Sequence, residues 1–269
     1  MPTIHEEKPY YMISSLARGL QIIELLAENK NMTVSESARL LGLSRSVMHR
    51  FLATLHRLGY VRQDNRSQYN LSMKLFEVGS QVVNHTEILT IARPFMRDLV
   101  ETHNETVNLG IMDRQETVVL DSLSGKEIFN YYSAIGSRSP AYSCAMGKVI
   151  LAFSDLKVQQ AYVSNILFET QTPTTITDPG AFIAELEMIR RQGYAIENEE
   201  RTAGLKCVAS PVFDYTNEPT YAISISGPTY RMTREIIAAM AWDLIQSCRV
   251  ISKKLGSNQD GVALSFNYE

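Results

Sequence analysis

Arginines spaced along residues 39–74 have the clearest chemical purpose in this chain. That window holds seven lysines and arginines against one acid, Asp64, so its net charge is +6. The whole chain carries 26 basic and 29 acidic residues, giving −3, and residues 86–269 hold 16 and 22, giving −6. A basic segment in an otherwise acidic chain predicts a polyanionic partner. Chance clustering of surface arginines is the simpler alternative.

The side chains that serve most enzymes are sparse. All five histidines fall within the first 103 residues, and Cys144, Cys207 and Cys248 are widely spaced, with no C-x-x-C pair. This distribution disfavours a disulfide framework, a structural zinc site and histidine-based catalysis in the second half of the chain. The sequence contains no nucleotide-binding loop, so we expect no cofactor, no metal and no enzymatic activity.

Length and hydropathy define the class of protein. A chain of 269 residues favours two domains, and 45% apolar with 20% charged residues is typical of a globular protein. No apolar stretch approaches the ~20 residues that a membrane-spanning helix needs. The first residues, MPTIHEEKPYY, have no apolar core of a secretory signal. We therefore expect a cytoplasmic protein with no membrane partner.

The basic window coincides with a helix-turn-helix pattern. Residues 14–29 have helical spacing of apolar side chains, with Leu16, Leu20, Ile23 and Leu26 on one face. Thr33 and Glu36 have the spacing of a capping box for a short second helix that Gly42 ends. Ser44 caps a third helix over residues 45–58, which Gly59 closes. In DNA-binding proteins, the second helix of such a pair enters the major groove.

The third helix has two chemically different sides. Its expected buried stripe contains Val47, Met48, Phe51, Leu52, Leu55 and Leu58. The opposite side carries arginines, a serine and a histidine, which can hold guanine edges and phosphates. A small hairpin follows, with strands Tyr60–Arg62 and Tyr69–Leu71 and a polar turn between them, which is typical of a wing. A generic three-helix domain with a solvated third helix is the alternative. The candidate DNA-binding residues are Thr33, Ser44, Arg45, Ser46, His49, Arg50, Arg57, Arg62 and Arg66.

The rest of the chain predicts a second domain of mixed structure. Residues 72–87 form a helix, either a connector or part of one domain, and a second helix spans 89–103 with an early interruption at Pro94. Strands are expected at 107–113, 117–123, 128–132, 194–197, 205–213 and 221–226, and helices at 144–153, 155–166, 178–192 and 233–255. Hairpins among helices favour an α+β fold with a mostly antiparallel sheet flanked by helices. The expected domains are a winged helix-turn-helix at 10–72, a linker helix at 73–88 and a second domain at 89–269.

Four strings of the sequence resemble the IclR family of bacterial transcriptional regulators. They are SLARGLQIIELLAE with TVSESARLLGLSRSVMHRFLATLHRLGYV, then PAYSCAMGKVILAF, RRQGYAIENEERTAGLKCVASPVFD and YAISISGP. Together they cover both expected domains, and MKLFEVGS with AIGSRSPAYS is most similar to the branch that answers to sugar acids. The chain departs from the family pattern at Val47, where threonine is usual, at Ser72, where glycine is usual, and at Glu197, where many members have aspartate.

The resemblance implies that the second domain binds a small metabolite, commonly a carboxylate. The implied effector-binding residues are Cys144, Ala145, Met146, Glu197, Leu205, Cys207, Ser224 and Ser226. Their own chemistry agrees, because amides at the start of a helix near residue 144 favour an anion, and Gly147 permits close packing. Ser224 and Ser226 share one strand face. A buried Glu197 would accept a hydroxyl from the ligand or pair with a cation such as Arg201.

Some of these residues have plainer interpretations. Cys207 would then be a buried small residue, Ser224 and Ser226 would bond within the sheet, and Lys148 is as well explained by a surface position as by a ligand contact. The leading function is a ligand-responsive regulator, commonly a repressor. It would bind a palindromic double-stranded DNA operator as a homodimer, and pairing of dimers into a tetramer stays open. An enzyme acting on a small acid in the same pocket is the alternative.

Overall fold

The computed structural model describes residues 12–84, 87–126 and 133–258, with the backbone alone for residues 80–84. The chain divides into two compact units between residues 85 and 86. The strand expected at 128–132 lies outside the described residues. Within the described ranges, no helix combines the length and the apolar character needed to cross a membrane.

The first unit has the helices and the hairpin that the sequence predicts. Its described elements are α1 (Ser14–Glu28), α2 (Val34–Leu40), α3 (Arg45–Arg57), β1 (Val61–Gln63), β2 (Tyr69–Leu71) and α4 (Met73–Asn84). Strands β1 and β2 pair antiparallel, with Val61 opposite Leu71. Met32 and Tyr69 exchange backbone hydrogen bonds of 3.2 and 2.7 Å, which tie the segment after α1 to the hairpin.

The core of this unit is centred on a narrower stripe than the sequence predicts. Met48, Leu52 and Leu55 of α3 are buried, and they belong to one cluster with Ile22 and Leu26 of α1. The predicted burial of three residues of α3 is wrong or incomplete, because Val47 and Leu58 are exposed and Phe51 is half-buried; Leu16 and Leu20, on the predicted apolar face of α1, are exposed as well. Apolar spacing shows that a helix has an apolar side, whereas the neighbouring helices decide which part of that side is covered.

The joint between α3 and α4 explains one departure from the family pattern. The Ser72 hydroxyl donates to the carbonyl oxygen of Gly59 and accepts from the Lys74 amide at 3.2 Å. Lys74 Nζ donates to the Leu58 carbonyl oxygen at 2.7 Å and lies 4.8 Å from the centre of the Tyr60 ring. A lysine on the last carbonyls of a helix satisfies acceptors that the helix leaves unpaired. Serine at position 72 therefore supplies hydrogen bonds that glycine lacks.

The second unit is an α+β fold built on one antiparallel sheet, as the sequence predicts. Its described elements are α5 (Ile88–His103), β3 (Thr106–Asp113), β4 (Glu116–Leu123), β5 (Arg138–Pro140), a 3-10 turn (Ala141–Ser143), α6 (Ala145–Phe153), α7 (Leu156–Asn165), α8 (Pro179–Gln192), β6 (Ala195–Asn198), β7 (Leu205–Val212), β8 (Tyr221–Pro228) and α9 (Arg234–Lys254). The strand order is β5-β4-β3-β8-β7-β6, and every neighbouring pair is antiparallel.

Alternation along the strands gives the sheet two different faces. Val208 of β7 and Ile223 and Ile225 of β8 pack with α5 and α9 in one core cluster. Ala209 and Ala222 point the other way and pack with α6 and α8 in a second cluster. Because successive strand residues point to opposite faces, Cys207 of β7 and Ser224 and Ser226 of β8 also face the α6 side. Part of this face is therefore polar.

Two local expectations need correction. Helix α5 continues through Pro94 without interruption, and its buried stripe is Ile88, Ala92, Met96 and Leu99, with Ile91 and Phe95 only partly buried. The sequence reasoning also missed β5, a strand of three residues that pairs with β4. Three residues are too few for an alternating pattern to be recognised.

Gly147 brings α6 against the preceding 3-10 turn, as the sequence predicts. A Cβ atom at this position would lie 2.3 Å from both the Cα and the carbonyl oxygen of Ala141. Contacts this short require the backbone to move, and such overpacking costs roughly 1–3 kcal/mol or more.

We expect Gly147→Ala to lower the thermal unfolding midpoint by roughly 2–10 °C, measured by circular dichroism. Gly79→Ala is the matched control, because Gly79 is also helical and a Cβ there meets no atom within 4 Å. The control should be neutral or slightly stabilising, since alanine favours a helix over glycine. Equal midpoints for Gly147→Ala and the wild type would contradict the close approach.

Candidate functional sites

Two short side chains cap the helices of the helix-turn-helix, Ser44 at the start of α3 and Thr33 at the start of α2. The Ser44 hydroxyl accepts from the Val47 amide at 3.3 Å at the start of α3. The Thr33 hydroxyl accepts from the Glu36 amide at 3.3 Å, and the Glu36 carboxylate accepts from the Thr33 amide at 2.8 Å, so the predicted capping box is confirmed. These hydrogen bonds lower the pKa of Glu36. Both hydroxyls already serve as caps, which leaves them fewer hydrogen bonds for a ligand.

Helix α3 presents its basic residues away from the core. Ser46, Arg50 and Arg57 lie opposite the buried stripe, and Arg45 and His49 lie to one side of them. All five side chains are exposed. In the described part of the chain, none of the three arginines forms an ion pair with a carboxylate. The helix therefore carries positive charge on a surface where a polyanion can reach it.

The hairpin adds two more exposed arginines to this unit. Arg62 lies on β1, and Arg66 lies in the turn between the strands. The Asp64 carboxylate shapes that turn, because its Oδ1 accepts from the amides of Arg66 and Gln68 at 2.9 and 2.8 Å. The one acid of the basic window is thus used to build the wing.

A cavity of about 50 Å³ in the second unit brings together all eight predicted effector-binding residues. It lies between the polar face of β7 and β8 and the start of α6. Sequence reasoning named Arg201 only as a partner for Glu197 and did not predict six other lining residues: Asn108, Val119, Ser133, Ser137, Ser139 and Ser143. Asn108 stands directly opposite Ser224 across β3 and β8. This pairing depends on strand register, which the sequence did not define.

The start of α6 forms one wall of the cavity. Cys144 is the N-cap, and its Sγ accepts from the Gly147 amide at 3.4 Å and lies 3.2 Å from Thr117 Oγ1. The first amides of a helix have no carbonyl partner within it. With the Gly147 amide capped, the Ala145 and Met146 amides are the first-turn donors left without a helical partner. Such amides, together with the helix dipole, favour an anion.

Glu197 lines the cavity, and its carboxylate already accepts hydrogen bonds from the protein backbone. Its carboxylate is buried, and Oε1 accepts from the backbone amides of Glu200 and Arg201 at 2.6 and 3.1 Å. The expected ion pair with the Arg201 side chain does not form in the described structure. Burial raises the pKa of Glu197, and these amide bonds oppose that shift. Glu197 therefore stabilises the turn after β6 by accepting hydrogen bonds from two of its backbone amides.

Two thiols face the cavity in their protonated form. Burial raises the pKa of Cys144 and raises that of Cys207 well above its usual value. A cysteine nucleophile needs a thiolate, which a helix terminus or a cationic neighbour normally stabilises. These thiols are therefore poor nucleophiles at neutral pH. Among the described residues, no three His, Cys, Asp or Glu side chains come together in a way that could hold a metal ion.

The turn after β6 is held from a second side by a run of threonines. The hydroxyls of Thr172 and Thr174 donate to the Glu199 carbonyl oxygen at 2.6 and 2.8 Å. The Thr175 hydroxyl donates to the Glu200 carbonyl oxygen at 2.6 Å. Glu199 has a φ of +60°, in the left-handed region that non-glycine residues rarely adopt. These bonds hold that conformation and fix the position of Arg201 at the cavity.

Lys148 is not a surface residue, so that interpretation is wrong, and it is not among the residues that line the cavity. Its side chain is fully buried, and Nζ lies 2.5 Å from Glu200 Oε1. Nζ also donates to the Ile196 carbonyl oxygen at 3.0 Å and lies 3.5 Å from Glu185 Oε1. The lysine thus joins α6 to the turn after β6, the two elements that meet at the cavity.

Fold and sites together define a class of protein: DNA-binding transcriptional regulators with a separate domain for a small effector. Residues 15–65 match the model of the IclR helix-turn-helix domain, and residues 80–253 match that of the bacterial transcriptional regulator IclR C-terminal domain. The chain belongs to the IclR family.

Individual relatives agree over nearly the whole chain. The HTH-type transcriptional regulator KdgR of Escherichia coli is 34% identical over 91% of this chain and 93% of its own length. The transcriptional repressor IclR of the same species is 30% identical over 91% and 90%. The crystal structure of the Thermotoga maritima IclR superposes with a TM-score of 0.81 at 33% identity, covering 91% of this chain and all of that one.

We expect Lys148→Met to lower the free energy of unfolding by about 3–5 kcal/mol, because it leaves the Glu200 carboxylate buried without its cation. The measurement is urea denaturation followed by circular dichroism. Lys157→Met is the control, since Lys157 is exposed on α7, and it should change the value by less than about 0.5 kcal/mol. Adding Glu200→Gln to Lys148→Met should recover part of the loss. An unfolding free energy equal to that of the wild type would disprove the buried pair.

Proposed function

We propose that this protein is a repressor that binds a palindromic operator as a homodimer and responds to a small organic or sugar-acid carboxylate. The first unit would bind DNA, and the cavity of the second unit would bind the effector. The observation that carries this proposal is that the two units present different chemical groups, basic side chains on the surface of one and polar groups around a cavity in the other. One exposes a helix with three arginines, and the other encloses hydroxyls, helix amides and an arginine in one cavity.

The geometry of α3 supports insertion into the major groove. Arg50 and Arg57 lie two turns apart on the outermost side of the helix, and Arg45 lies at its start. Arginine can bind the O6 and N7 atoms of guanine with two hydrogen bonds. The exposed Arg62 and Arg66 of the wing are suited to phosphates, which position the protein without reading sequence. The proposed DNA-binding surface consists of these five arginines with Ser46 and His49, and Thr33 and Ser44 lie at the helix starts.

An exposed apolar stripe on α1 supports a dimer. Leu16 and Leu20 lie on the predicted apolar face of α1, but their side chains are 60% and 52% exposed, and Ile13 just before the helix is 65% exposed. A second copy that covers this stripe would remove it from water. Two-fold symmetry of the protein then matches a palindromic operator.

The cavity chemistry supports a hydroxylated acid as the effector. Six serines line it, and hydroxyl groups can both donate to and accept from a polyhydroxylated ligand. The amides at the start of α6 favour its carboxylate. Binding would change operator affinity only through a difference in effector affinity between the arrangements of the protein. Repression is the outcome that the names of relatives support, since two are called the transcriptional repressor IclR and the acetate operon repressor.

We expect Arg50→Ala to weaken operator binding by roughly 10–100-fold, because one base contact is lost from the groove. The operator is obtained by selection from random duplexes, and affinity is measured by fluorescence anisotropy at fixed salt. Arg191→Ala, an exposed arginine of α8, is the matched control and should leave the affinity unchanged. Wild-type affinity in Arg50→Ala would remove this residue from the interface.

Replacing both Ser224 and Ser226 by alanine should abolish the effector response and preserve operator binding, because the change is confined to the cavity. The measurement is operator anisotropy with and without an acid that raises the unfolding midpoint of the wild type. Ser210→Ala is the control, since Ser210 is a buried serine of β7 outside the cavity lining. A full response in the double variant would disprove the pocket assignment.

A further inference from the structure

Arg201 stands out among the residues of the cavity because of its charge. It is half-buried, and among the described lining residues it is the one basic side chain. The other polar groups there are serine hydroxyls, one asparagine amide, two protonated thiols and the Glu197 carboxyl group. The pocket therefore combines many polar groups with one basic side chain, Arg201, and one acid, Glu197, whose Oε1 accepts hydrogen bonds from two backbone amides.

The guanidinium group of Arg201 retains most of its hydrogen-bonding capacity. Nη2 donates to the Arg138 carbonyl oxygen at 3.2 Å, which uses one of its five N–H donors. Within the described residues, no carboxylate lies within ion-pair distance of it. The neighbouring Arg138 shows the contrast, because its guanidinium lies 2.6 Å from Asp113 Oδ2 and 2.7 Å from Glu116 Oε2.

The positive charge of Arg201 affects the Cys144 thiol at the start of α6. Burial raises the pKa of the Cys144 thiol, the positive charge of Arg201 opposes that shift, and the negative charge of Glu197 adds to it. Cys144 is the N-cap of α6, next to the Ala145 and Met146 amides. Two independent preferences for an anion, a guanidinium and a helix N-terminus, therefore border the same small space.

The backbone around Arg201 is held before any ligand arrives. Its amide donates to Glu197 Oε1, and the preceding two carbonyl oxygens accept from the threonine run at 172–175. A residue fixed in this way loses little conformational entropy on binding, so more of its interaction energy contributes to affinity.

We propose that Arg201 binds the carboxylate of the effector together with the amides at the start of α6, and thereby selects small hydroxy or oxo acids over neutral compounds of the same shape. This inference rests on the proposed function of the cavity as the effector site. It adds the residue that recognises the charge of the ligand. The serines of β8 and of residues 133–143 then contact the hydroxyl or oxo groups at the uncharged end.

The test compares each acid with its own amide, which has nearly the same shape without the charge. Isothermal titration of the full chain uses lactate with lactamide, glycerate with glyceramide, and gluconate with gluconamide. The wild type should bind at least one acid about tenfold or more tightly than its amide, since a charge-assisted pair is lost in the amide. In Arg201→Gln that ratio should fall severalfold, because only the preference of the α6 amides for an anion remains, and in Arg201→Lys most of the ratio should remain.

Arg191→Gln serves as the control, because it removes an exposed arginine outside the cavity and should leave the ratio at the wild-type value. The ratio of two affinities for one variant does not depend on how stable that variant is, so a purely structural role of Arg201 would not change it. An unchanged ratio in Arg201→Gln would overturn the assignment of Arg201 while leaving the effector site in place. If no acid bound to the wild type, the proposed acid effector would fail, and the role of Arg201 with it.

Discussion

The buried ion pair between Lys148 and Glu200 holds together two of the elements that border the cavity, α6 and the turn after β6. Helix α6 brings the lysine from one side, and the turn after β6 brings the glutamate from the other. Taking both charges out of water costs several kcal/mol, which their attraction and the bond to the Ile196 carbonyl oxygen offset. The ion pair fixes the position of α6 relative to the turn after β6, because any other arrangement would leave a buried charge without its partner.

The hydrogen bonds and the ion pair around the cavity determine which charged groups there are already engaged within the protein. Glu197 and Glu200 are acids near a proposed anion site, yet one carboxylate accepts backbone amides and the other is paired with a lysine. Their charges are thus engaged within the protein, while the positive charge of Arg201 has no carboxylate partner in the described structure. Under the proposed function, Arg201 supplies the positive charge for an acid ligand in a unit that is acidic as a whole.

In the DNA-binding unit, side chains near the helix ends satisfy the backbone groups that the helices leave unpaired. Short side chains cap the starts of α2 and α3, and Lys74 Nζ donates a hydrogen bond to the Leu58 carbonyl oxygen at the end of α3. The helix ends are therefore satisfied by residues outside the central turns. The arginines of α3 remain exposed without a carboxylate partner in the described residues, so they can exchange counterions for phosphates at little cost within the protein.

Local patterns in the sequence determined the elements, the antiparallel α+β character and the exposed arginine side of α3. Caps, glycine stops and strand alternation act between residues that are close in the chain, so the sequence alone reveals them. Only the tertiary structure decided that Lys148 is buried, that Leu16 and Leu20 are exposed, and that Arg201 and Asn108 line the cavity. Each of these depends on which distant element packs alongside, and neither spacing nor residue type specifies that neighbour.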